Sequence, residues 1–425
     1  MNHYDVIIVG TGVSGLFAAL NLAKDKKVLV LTKTIADESD SFLAQGGICV
    51  QRDDEDYDDF VEDTLKAGHY ENDRNSVAIM VTQSREIINY LLDIGVEFDK
   101  DNAGFSYTKE GAHSKARILH CKDRTGKEIS SKLLEKVRQL KNVEILENTI
   151  LLDILAEHNH CYGVVVMNKD NKLENLYAHF TIFATGGIGG LYEKSTNYPH
   201  LTGDAIAIAL RHNIRLKNIN YIQIHPTALY TEQAGRAFLI SESVRGEGAV
   251  LLDKEGNRFT DELQARDIVA KKIHEQMDKD KTSHVWLYLN GHVKGDIAKR
   301  FPSIYERCLQ EGYDITKDRI PVVPAQHYFM GGIEVDTQSK TSMNNLYAVG
   351  ETSCNGVHGK NRLASNSLLE SLVFSKRAAL DINKNWKEEE PPFFSLPKEE
   401  DYQNIAEYNR MLILDEIRKE DESAE

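Results

Sequence analysis

The sequence YDVIIVGTGVSG, residues 4–15, places a run of apolar, mostly β-branched residues directly before a G-x-G-x-x-G turn. Helical spacing follows over residues 16–23, and residues 27–31 form the next strand-like run. This strand–turn–helix–strand order within about 30 residues is typical of a dinucleotide-binding βαβ unit. A glycine turn without a ligand is the alternative, which the flanking elements disfavour.

Each glycine of the turn has a separate task in such a unit. Gly10 permits the tight turn, Gly12 lets the backbone approach a pyrophosphate, and Gly15 lets the helix pack closely on the strand. An acidic residue about 20 positions further on usually binds the ribose of NAD. The second strand ends here with LTKT, residues 31–34, which contains no acid. Simple NAD binding is therefore disfavoured, and a flavin dinucleotide with other sugar contacts is favoured.

Further segments fit a flavin. Residues 40–47, DSFLAQGG, form a polar loop ending in a glycine pair, and residues 184–187, ATGG, let the end of a strand approach a ligand. Glu351 follows a strand and could accept a hydrogen bond from a ribityl hydroxyl. Ser365 and Asn366 open a helix, either as ordinary N-cap residues or as a helix start that stabilises negative charge on a reduced flavin.

Composition narrows the class of protein. The chain has 425 residues, enough for two or three domains, and its formal charge of −15 disfavours a nucleic-acid binder. No run approaches the ~20 apolar residues of a membrane span, and the N-terminus shows no secretory signal. The five cysteines are widely spread without a C-x-x-C pattern, so we expect no metal site, no disulfide framework and a cytoplasmic location.

The pattern of the first domain returns near the end of the chain. Residues 346–349 are again a buried-strand run, followed by a glycine loop and a helix from about Asn366, whereas residues 219–324 are richer in Arg, His and Glu. We therefore predict a nucleotide-binding domain interrupted by an insertion. The predicted units are residues 1–218 and 326–385 for the nucleotide-binding domain, 219–325 for the insertion and 386–425 for a tail with one helix.

The motifs, taken in order, resemble one family. Over residues 1–385 the sequence is similar to the succinate dehydrogenase/fumarate reductase flavoprotein family. The segments that carry this similarity are GTGVSG, LAQGGI, EGAHS, FATGG, HPTALY, RGEGA, ARDIVA, HYFMGG and NRLASNSLLE. The resemblance implies an α/β fold in which an FAD-binding Rossmann-like domain is split by an inserted α+β capping domain and followed by a short helical C-terminal tail. It also implies that a dicarboxylate binds between the two domains, against the flavin.

The resemblance implies that FAD is bound noncovalently. Many relatives attach FAD through a histidine just before A-Q-G-G, and that position is Asp40 here. The implied FAD contacts are Gly10, Thr11, Gly12, Val13, Ser14, Gly15, Lys33, Asp40, Ser41, Phe42, Leu43, Ala44, Gln45, Gly46, Gly47, Asp204, Glu351, Ser367 and Leu368.

Arginine and histidine are the side chains best suited to bind carboxylates, through charge-assisted and bidentate hydrogen bonds. The positions that the resemblance assigns to the substrate site are the catalytic Arg266 and the substrate-binding Glu110, Gln223, His225, Glu242, Arg245, His327 and Arg362. For each of them the alternative is a structural ion pair. Because a guanidinium is effectively always protonated, Arg266 acts either as an electrostatic partner or as a transient proton shuttle.

Glu110 is the residue that we use to choose between substrates. It lies in KEGAH, residues 109–113, and resembles a glutamate that meets the substrate ammonium in the family members that oxidise L-aspartate. A dicarboxylate without nitrogen would gain nothing from this charge and would be repelled by it. The alternative is a solvated loop glutamate.

Within the family, the closest likeness is to the members that oxidise L-aspartate to iminoaspartate. Oxygen or fumarate accepts the electrons, and the reaction is the first step of NAD biosynthesis from aspartate. The alternatives are a fumarate reductase or succinate dehydrogenase flavoprotein with noncovalent FAD, and an FAD-binding module without activity. The resemblance also implies a transient contact with quinolinate synthase and no nucleic-acid, membrane or metal partner.

Overall fold

The computed structural model describes residues 3–102, 104–233, 235–387 and 390–424. The strands are β1 (His3–Val9), β2 (Val28–Leu31), β3 (Ile48–Cys49), β4 (Lys100–Asp101), β5 (Gly104–Phe105), β6 (Tyr107–Thr108), β7 (Ile118–Leu119), β8 (Val143–Leu146), β9 (Ile150–Glu157), β10 (His160–Met167), β11 (Leu173–Phe183), β12 (Leu216–Lys217), β13 (Ile222–Leu229), β14 (Val250–Leu252), β15 (Val285–Tyr288), β16 (Ile320–Phe329), β17 (Gly332–Glu334), β18 (Leu346–Ala348) and β19 (Ser353–Cys354). The α-helices are α1 (Val13–Asn21), α2 (Asp40–Leu43), α3 (Tyr57–Ala67), α4 (Arg74–Asp93), α5 (Thr125–Arg138), α6 (Asp204–Arg211), α7 (Glu242–Gly246), α8 (Arg266–Asp280), α9 (Ile297–Arg300), α10 (Pro302–Gln310), α11 (Asn366–Asn385) and α12 (Ile405–Ala424). None of the helices in these ranges is long and apolar enough to cross a bilayer.

The largest sheet is built around the segment that opens the sequence. Adjacent strands are parallel in the order β8-β2-β1-β11, and β18 pairs in parallel with the end of β11. The strands β9, β10 and β11 form an antiparallel extension, with a turn after Met167. The sequence predicts a hairpin at this place, because residues 168–171, NKDN, are typical turn residues between two strand-like runs. The parallel strands therefore bring their carboxyl ends to one edge of the sheet, which is where α/β folds bind ligands.

The alternation of side chains along β1 explains why this strand lies at the centre. Val6 and Ile8 point into a core shared with α1, α4, α5 and α11, whereas Ile7 and Val9 point into a second core on the opposite face, shared with α6. A strand that is apolar on both faces must be covered on both faces, as the continuous apolar run from Val6 to Val9 indicates.

The insertion forms a separate layer with its own core. The strands β13, β16, β15 and β14 form an antiparallel sheet in that order, covered by apolar residues such as Val269 and Ile273 from α8. The predicted boundary between residues 325 and 326 falls inside β16, which runs continuously from Ile320 to Phe329. This strand therefore links the insertion directly to the segment that returns to the main sheet.

The tail helix packs against the nucleotide-binding layer. The predicted helix near the end of the chain is α12, and its Ile413 and Ile417 are buried in the second core beside α6. A Cβ atom built on Gly203, just before α6, would lie 2.9 Å from Ile413 Cδ1. Residues 388, 389 and 425 of the predicted tail lie outside the described residues.

We expect Ile413→Ala to lower the free energy of unfolding by about 2–5 kcal/mol, because the substitution leaves a cavity in a packed core. Met411 is 56% exposed on the same helix. Met411→Ala should therefore change the free energy by less than about 0.5 kcal/mol. Urea denaturation followed by circular dichroism measures both variants, and equal midpoints would contradict the docking of α12.

Candidate functional site

A large cavity opens at the carboxyl ends of β1, β2 and β11, between the main sheet and the insertion. The space within it, partly open to solvent, amounts to about 1600 Å³. Most of the predicted FAD contacts line it: Gly10, Thr11, Gly12, Ser14, Lys33, Asp40, Ser41, Leu43, Ala44, Gln45, Gly46, Gly47, Asp204, Glu351, Ser367 and Leu368.

Three of the predicted FAD contacts do not line the cavity. Val13 is buried in the first core, and Phe42 packs against the same core, so the side chains of both belong to the hydrophobic interior. A Cβ atom on Gly15 would lie 2.1 Å from the carbonyl oxygen of Gly10, so Gly15 serves the packing of α1 on its own turn. The motif indicates the loops that form the cavity, and it does not specify which way each side chain points.

The glycine turn brings the start of α1 to the cavity. Gly10 has a φ of +116°, and a Cβ atom there would lie 2.0 Å from the carbonyl oxygen of Ala184. Gly12 occupies the N-cap position of α1 and lines the cavity, so it adds no side chain between the helix and a ligand. The N–H groups of the first turn of a helix have no partners within it and favour phosphate. Ser41 Oγ already accepts one of them, from the N–H of Val13, at 3.1 Å.

The carboxylate missing from the end of β2 is supplied by another element. Lys33, just after β2, donates through Nζ to the carbonyl oxygen of His200 at 3.1 Å, to Thr202 Oγ1 at 3.0 Å and to Asp204 Oδ2 at 2.9 Å. Asp204 is the first residue of α6. Lys33 thus holds the loop before α6 close to the end of β2 and brings the carboxylate of Asp204 to this edge of the cavity.

The lining of the cavity contains polar atoms that suit FAD. Ser39 Oγ and Asp40 Oδ2 are buried and have no hydrogen-bond partner in the described residues. Burial raises the pKa of Asp40 to about 7 and that of Glu351 to about 8. Buried polar groups are normally hydrogen-bonded, so this lining fits a ligand that carries many hydroxyl groups. The side chain of Asp40 is a carboxylic acid, which cannot form a histidyl bond to a flavin.

Arg266 is held by two partners at the other end of the cavity. It begins α8, and its Nε donates to Glu242 Oε2 at 2.6 Å while Nη1 donates to Gln223 Oε1 at 2.8 Å. Burial alone would raise the pKa of Glu242, but the guanidinium groups of Arg266 and Arg245 outweigh it and lower this pKa. The guanidinium of Arg266 is therefore fixed in orientation and lies at the cavity wall.

Two predicted substrate-binding residues lie behind this wall and do not line the cavity. Gln223 uses its amide to hold Arg266, and its Nε2 donates to Asn361 Oδ1 and to the carbonyl oxygen of Arg362, both at 2.8 Å. Arg245 lies with Nη2 3.7 Å from Glu242 Oε2 and donates through Nη1 to the carbonyl oxygen of Glu262. Both residues therefore contact groups of the cavity wall from behind, through hydrogen bonds and an ion pair.

His225 and His327 form an edge-to-face pair in the cavity wall, with ring centroids 5.1 Å apart. His225 Nδ1 accepts the N–H of Thr227 at 3.1 Å, so the proton of the neutral ring is on Nε2, which has no partner in the described residues. His327 Nδ1 lies 2.7 Å from Thr196 Oγ1. Burial, followed by the charge of Arg266, lowers the pKa of both rings well below the usual range. The Nε2–H group of His225 is thus a free donor for a ligand.

Arg362 provides the second guanidinium of the wall. Its Cζ lies 4.4 Å from the ring centroid of Tyr328, and its Nη1 donates to Ser367 Oγ at 3.3 Å. Its Nε is buried and has no partner in the described part of the chain. Burial lowers the pKa of Arg362 to about 10, so the group is still charged at neutral pH. Tyr328 was not predicted for the site, although it directly follows His327 in the HYFMGG motif.

Glu110 is a buried acidic residue at the same end of the cavity as Arg266 and Arg362, and it is not a solvated loop residue. It is 2% exposed, lines the cavity and accepts a hydrogen bond from Ser365 Oγ at 2.7 Å. Burial and then the charge of Glu242 raise the pKa of Glu110 to about 6. Ser365 occupies the N-cap position of α11, yet its side chain makes no capping bond. The hydroxyl is used for Glu110 instead.

The cavity has further polar lining residues that no sequence pattern singled out. These are Thr196, Arg236 and Ser241. Thr196 bonds His327, and the N–H of Ser241 donates to Gln45 Oε1 at 3.1 Å, which joins the insertion to the flavin loop. Their neighbours in the sequence carry no motif, so only the folded chain brings them to the site.

Known proteins are similar to this sequence along almost the whole chain. Residues 5–368 match the family described as an FAD binding domain. The L-aspartate oxidase of Clostridium perfringens is 51% identical over 417 residues, which are 97% of this chain and 94% of that protein. The L-aspartate oxidase of Clostridium acetobutylicum is 52% identical over 381 residues, 89% of this chain and 88% of that protein. The chain belongs to the L-aspartate oxidase family.

Other members and more distant structures extend the comparison. The L-aspartate oxidase of Acinetobacter baylyi is 40% identical to this family member over 97% of the chain and 77% of its own length. A quinol–fumarate reductase solved with menaquinol molecules has a TM-score of 0.85 at 28% identity, over 98% of this chain and 76% of that chain. The FrdA chain of an E. coli quinol fumarate reductase has a TM-score of 0.83 at 30% identity, over 90% and 71%. The predicted α/β FAD-binding fold is thereby confirmed.

We expect Gly10→Ala to abolish FAD binding in this family member, because the added Cβ would collide with the carbonyl of Ala184. Gly95 also has a positive φ, +95°, but a Cβ there would meet nothing within 4 Å. Gly95→Ala therefore carries the same backbone strain without the collision and should keep its flavin. The ratio of flavin to protein in the purified variants measures this, and full FAD content in Gly10→Ala would contradict the role of the turn.

Proposed function

We propose that this chain oxidises L-aspartate to iminoaspartate with noncovalently bound FAD and passes the electrons to oxygen or fumarate, as the first step of NAD biosynthesis from aspartate. One observation carries the choice of substrate: the buried carboxyl group of Glu110 lies in the cavity close to Arg266, Arg362 and His225, which suit carboxylates. The other carboxyl group at this end, Glu242, is paired with Arg266. A substrate that fits must carry two carboxylates and one cationic group.

The donors are suited to two carboxylates. Arg266 and Arg362 each present a guanidinium, and His225 presents a free Nε2–H, all from positions that line the cavity. Charge-assisted bonds from fixed, buried donors are among the strongest available to a protein. Because Gln223 holds Arg266 and also the backbone of Arg362, the two guanidinium groups are kept in a fixed relation to each other.

Glu110 supplies the opposite charge. Its carboxylate already accepts one hydrogen bond from Ser365 and retains lone pairs for an ammonium group. A bound ammonium favours the ionised form and lowers the raised pKa of Glu110. A nitrogen-free dicarboxylate meets instead a second acidic group close to Glu242, and it binds only if Glu110 is neutral or moves away.

FAD, when bound, supplies the acceptor for the hydrogen that leaves Cα together with its electron pair. The residues of this chain orient the substrate for that step, since two clamped carboxylates leave Cα little rotational freedom. Oxidation to the imine also removes one proton from the ammonium group, and Glu110 is the nearest base to a nitrogen bound there. Arg266, fixed by Glu242 and Gln223, stabilises the negative charge of the carboxylate that it holds.

Reduction of the bound flavin without oxygen tests this function directly. L-Aspartate should bleach the visible flavin absorption of the holoenzyme under anaerobic conditions, and added oxygen or fumarate should restore it. Succinate should not bleach it. Bleaching by succinate and not by L-aspartate would favour the alternative, a fumarate reductase or succinate dehydrogenase flavoprotein, to which the fold is similar. No bleaching by either would favour an inactive FAD-binding module.

Glu110→Gln should raise KM for L-aspartate by about 10- to 100-fold, because a charge-assisted hydrogen bond contributes roughly 1.5–3 kcal/mol. The same variant should bind succinate as tightly as the native enzyme or more tightly, since it removes a repulsive charge. Glu370→Gln is the matched control, because Glu370 is equally buried at 2% exposure and does not line the cavity. Equal loss of L-aspartate and succinate binding in Glu110→Gln would contradict the assignment.

Two parts of the proposal are supported by the sequence and the family resemblance and not by the geometry of the site. They are the cytoplasmic location and the transient contact with quinolinate synthase, which would take up iminoaspartate.

A further inference from the structure

A buried ion cluster lies beside the cavity without lining it. Arg117 is fully buried, and its Nη2 donates to Asp56 Oδ1 at 2.9 Å while Nη1 donates to Asp63 Oδ2 at 2.5 Å. Burying a charged side chain costs several kcal/mol unless its hydrogen bonds are satisfied. Arg117 has both carboxylates as partners and donates through Nη2 to Ser114 Oγ at 3.4 Å, and it makes an extra hydrogen bond to His113.

The extra bond fixes the protonation of His113. Arg117 Nη1 lies 3.1 Å from His113 Nδ1, and a guanidinium can only donate, so Nδ1 accepts and carries no proton. The proton of the neutral ring is therefore on Nε2, which donates to the carbonyl oxygen of Ala364 at 3.0 Å. Burial and the charge of Arg117 lower the pKa of His113 to about 4, which keeps the ring neutral in this tautomer.

The histidine bond anchors a strained segment. Ser365 follows Ala364 with a φ of +61° and a ψ of 9°, a left-handed conformation that costs a side chain about 1 kcal/mol or more. The carbonyl oxygen of Ser365 accepts the N–H of Cys49 at 3.1 Å. The peptide groups on both sides of Ser365 are thus held, and its hydroxyl is directed to Glu110 Oε2 at 2.7 Å.

The same histidine is joined to Glu110 through the backbone. The N–H of His113 donates to the carbonyl oxygen of Glu110 at 3.3 Å. Glu110, His113, Ala364 and Ser365 therefore form a closed ring of hydrogen bonds, with the Glu110 carboxylate at the cavity and Arg117 outside it. A displacement of the imidazole would move both the backbone of Glu110 and the hydroxyl that holds its carboxylate.

We propose that His113, held in one tautomer by Arg117, is a positioning residue that sets the Glu110 carboxylate through Ser365 and so determines the preference for amino dicarboxylates over nitrogen-free ones. The inference rests on the proposed function in that it takes Glu110 as the partner of the substrate ammonium. It adds that this specificity depends on a residue that touches neither substrate nor cofactor.

Binding of two ligands to the holoenzyme, measured by calorimetry, tests the inference. One ligand is 2-methylaspartate, which has a methyl group in place of the Cα hydrogen and cannot be oxidised at Cα, and the other is succinate. His113→Leu should weaken 2-methylaspartate binding by about tenfold or more and change succinate binding by less than about threefold. His113→Gln should keep the native ratio, because its amide offers an acceptor oxygen for Arg117 and a donor nitrogen for the carbonyl oxygen of Ala364, as the neutral ring does.

A matched control separates positioning from general destabilisation. His120 is buried in the same stretch and bonds Asp99 at 3.0 Å, outside the cavity lining. His120→Leu should leave the ratio of the two affinities unchanged. If His113→Leu does not retain FAD, Ser365→Ala takes its place, because it removes the hydroxyl donated to Glu110 and leaves the ion cluster intact. Ser365→Ala should likewise weaken binding of 2-methylaspartate relative to binding of succinate.

The outcomes are distinct. A proportional loss of both ligands in His113→Leu, or an unchanged ratio in Ser365→Ala, overturns the inference and leaves the proposed function standing if L-aspartate still bleaches the flavin. Absence of bleaching in the native holoenzyme overturns the proposed function. The ratio of affinities in the variants still tests the positioning role in that case, since binding is measured without turnover.

Discussion

The ion pair between Arg266 and Glu242, with 2.6 Å between Nε and Oε2, is buried on both sides. Charges removed from water must be paired, and this pair decides how the neighbouring groups can be arranged. Glu242 accepts the hydrogen bond from Arg266 through Oε2, and the same oxygen lies 3.7 Å from Arg245 Nη2. Gln223 accepts the second hydrogen bond of the Arg266 guanidinium through Oε1 and donates through Nε2 to the carbonyl oxygen of Arg362. The insertion and the loop before α11 are thus joined through the groups that bind carboxylates.

The two buried carboxyl groups of the cavity have opposite environments, and the difference separates their roles. Guanidinium groups lower the pKa of Glu242, whereas burial raises that of Glu110 to about 6. Such a separation is how one site assigns different tasks to chemically equal groups. Glu242 remains an anion that holds Arg266. Among the described residues, the hydroxyl of Ser365 is the side-chain hydrogen-bond partner of the Glu110 carboxylate, so its charge is available to a ligand.

Local signals in the sequence predicted the frame of the molecule. The βαβ opening, the hairpin after Met167 and α12 follow from apolar periodicity and turn residues over short ranges, and the structure confirms them. The segments predicted to surround the flavin meet at one cavity, because glycine patterns mark where backbone can approach a ligand. The side chains of Val13 and Phe42 lie in the core instead, since a motif specifies a loop and not the direction of each side chain.

The features that the sequence did not reveal depend on contacts between distant segments. Gln223 and Arg245 stand behind the cavity wall because Arg362 and Glu262, far along the chain, take their hydrogen bonds. Asp204 was named among the FAD contacts, but the ion pair with Lys33 that brings it to the end of β2 is visible only in the fold. Ser365 has a left-handed backbone that a serine in a sequence does not announce. Each of these features depends on how distant segments meet in the folded chain, which single-sequence patterns do not encode.

Proton exchange on ligand binding tests the central claim most directly, since the claim is that a substrate ammonium meets the ionised form of Glu110. Calorimetry of the holoenzyme near pH 6, in buffers of different ionisation enthalpy, gives the number of protons bound or released. 2-Methylaspartate should release more protons on binding to the native enzyme than on binding to Glu110→Gln, whereas succinate should not. This comparison cancels the protons that each ligand itself loses at this pH. Equal proton release by 2-methylaspartate from the native enzyme and from Glu110→Gln would contradict the account.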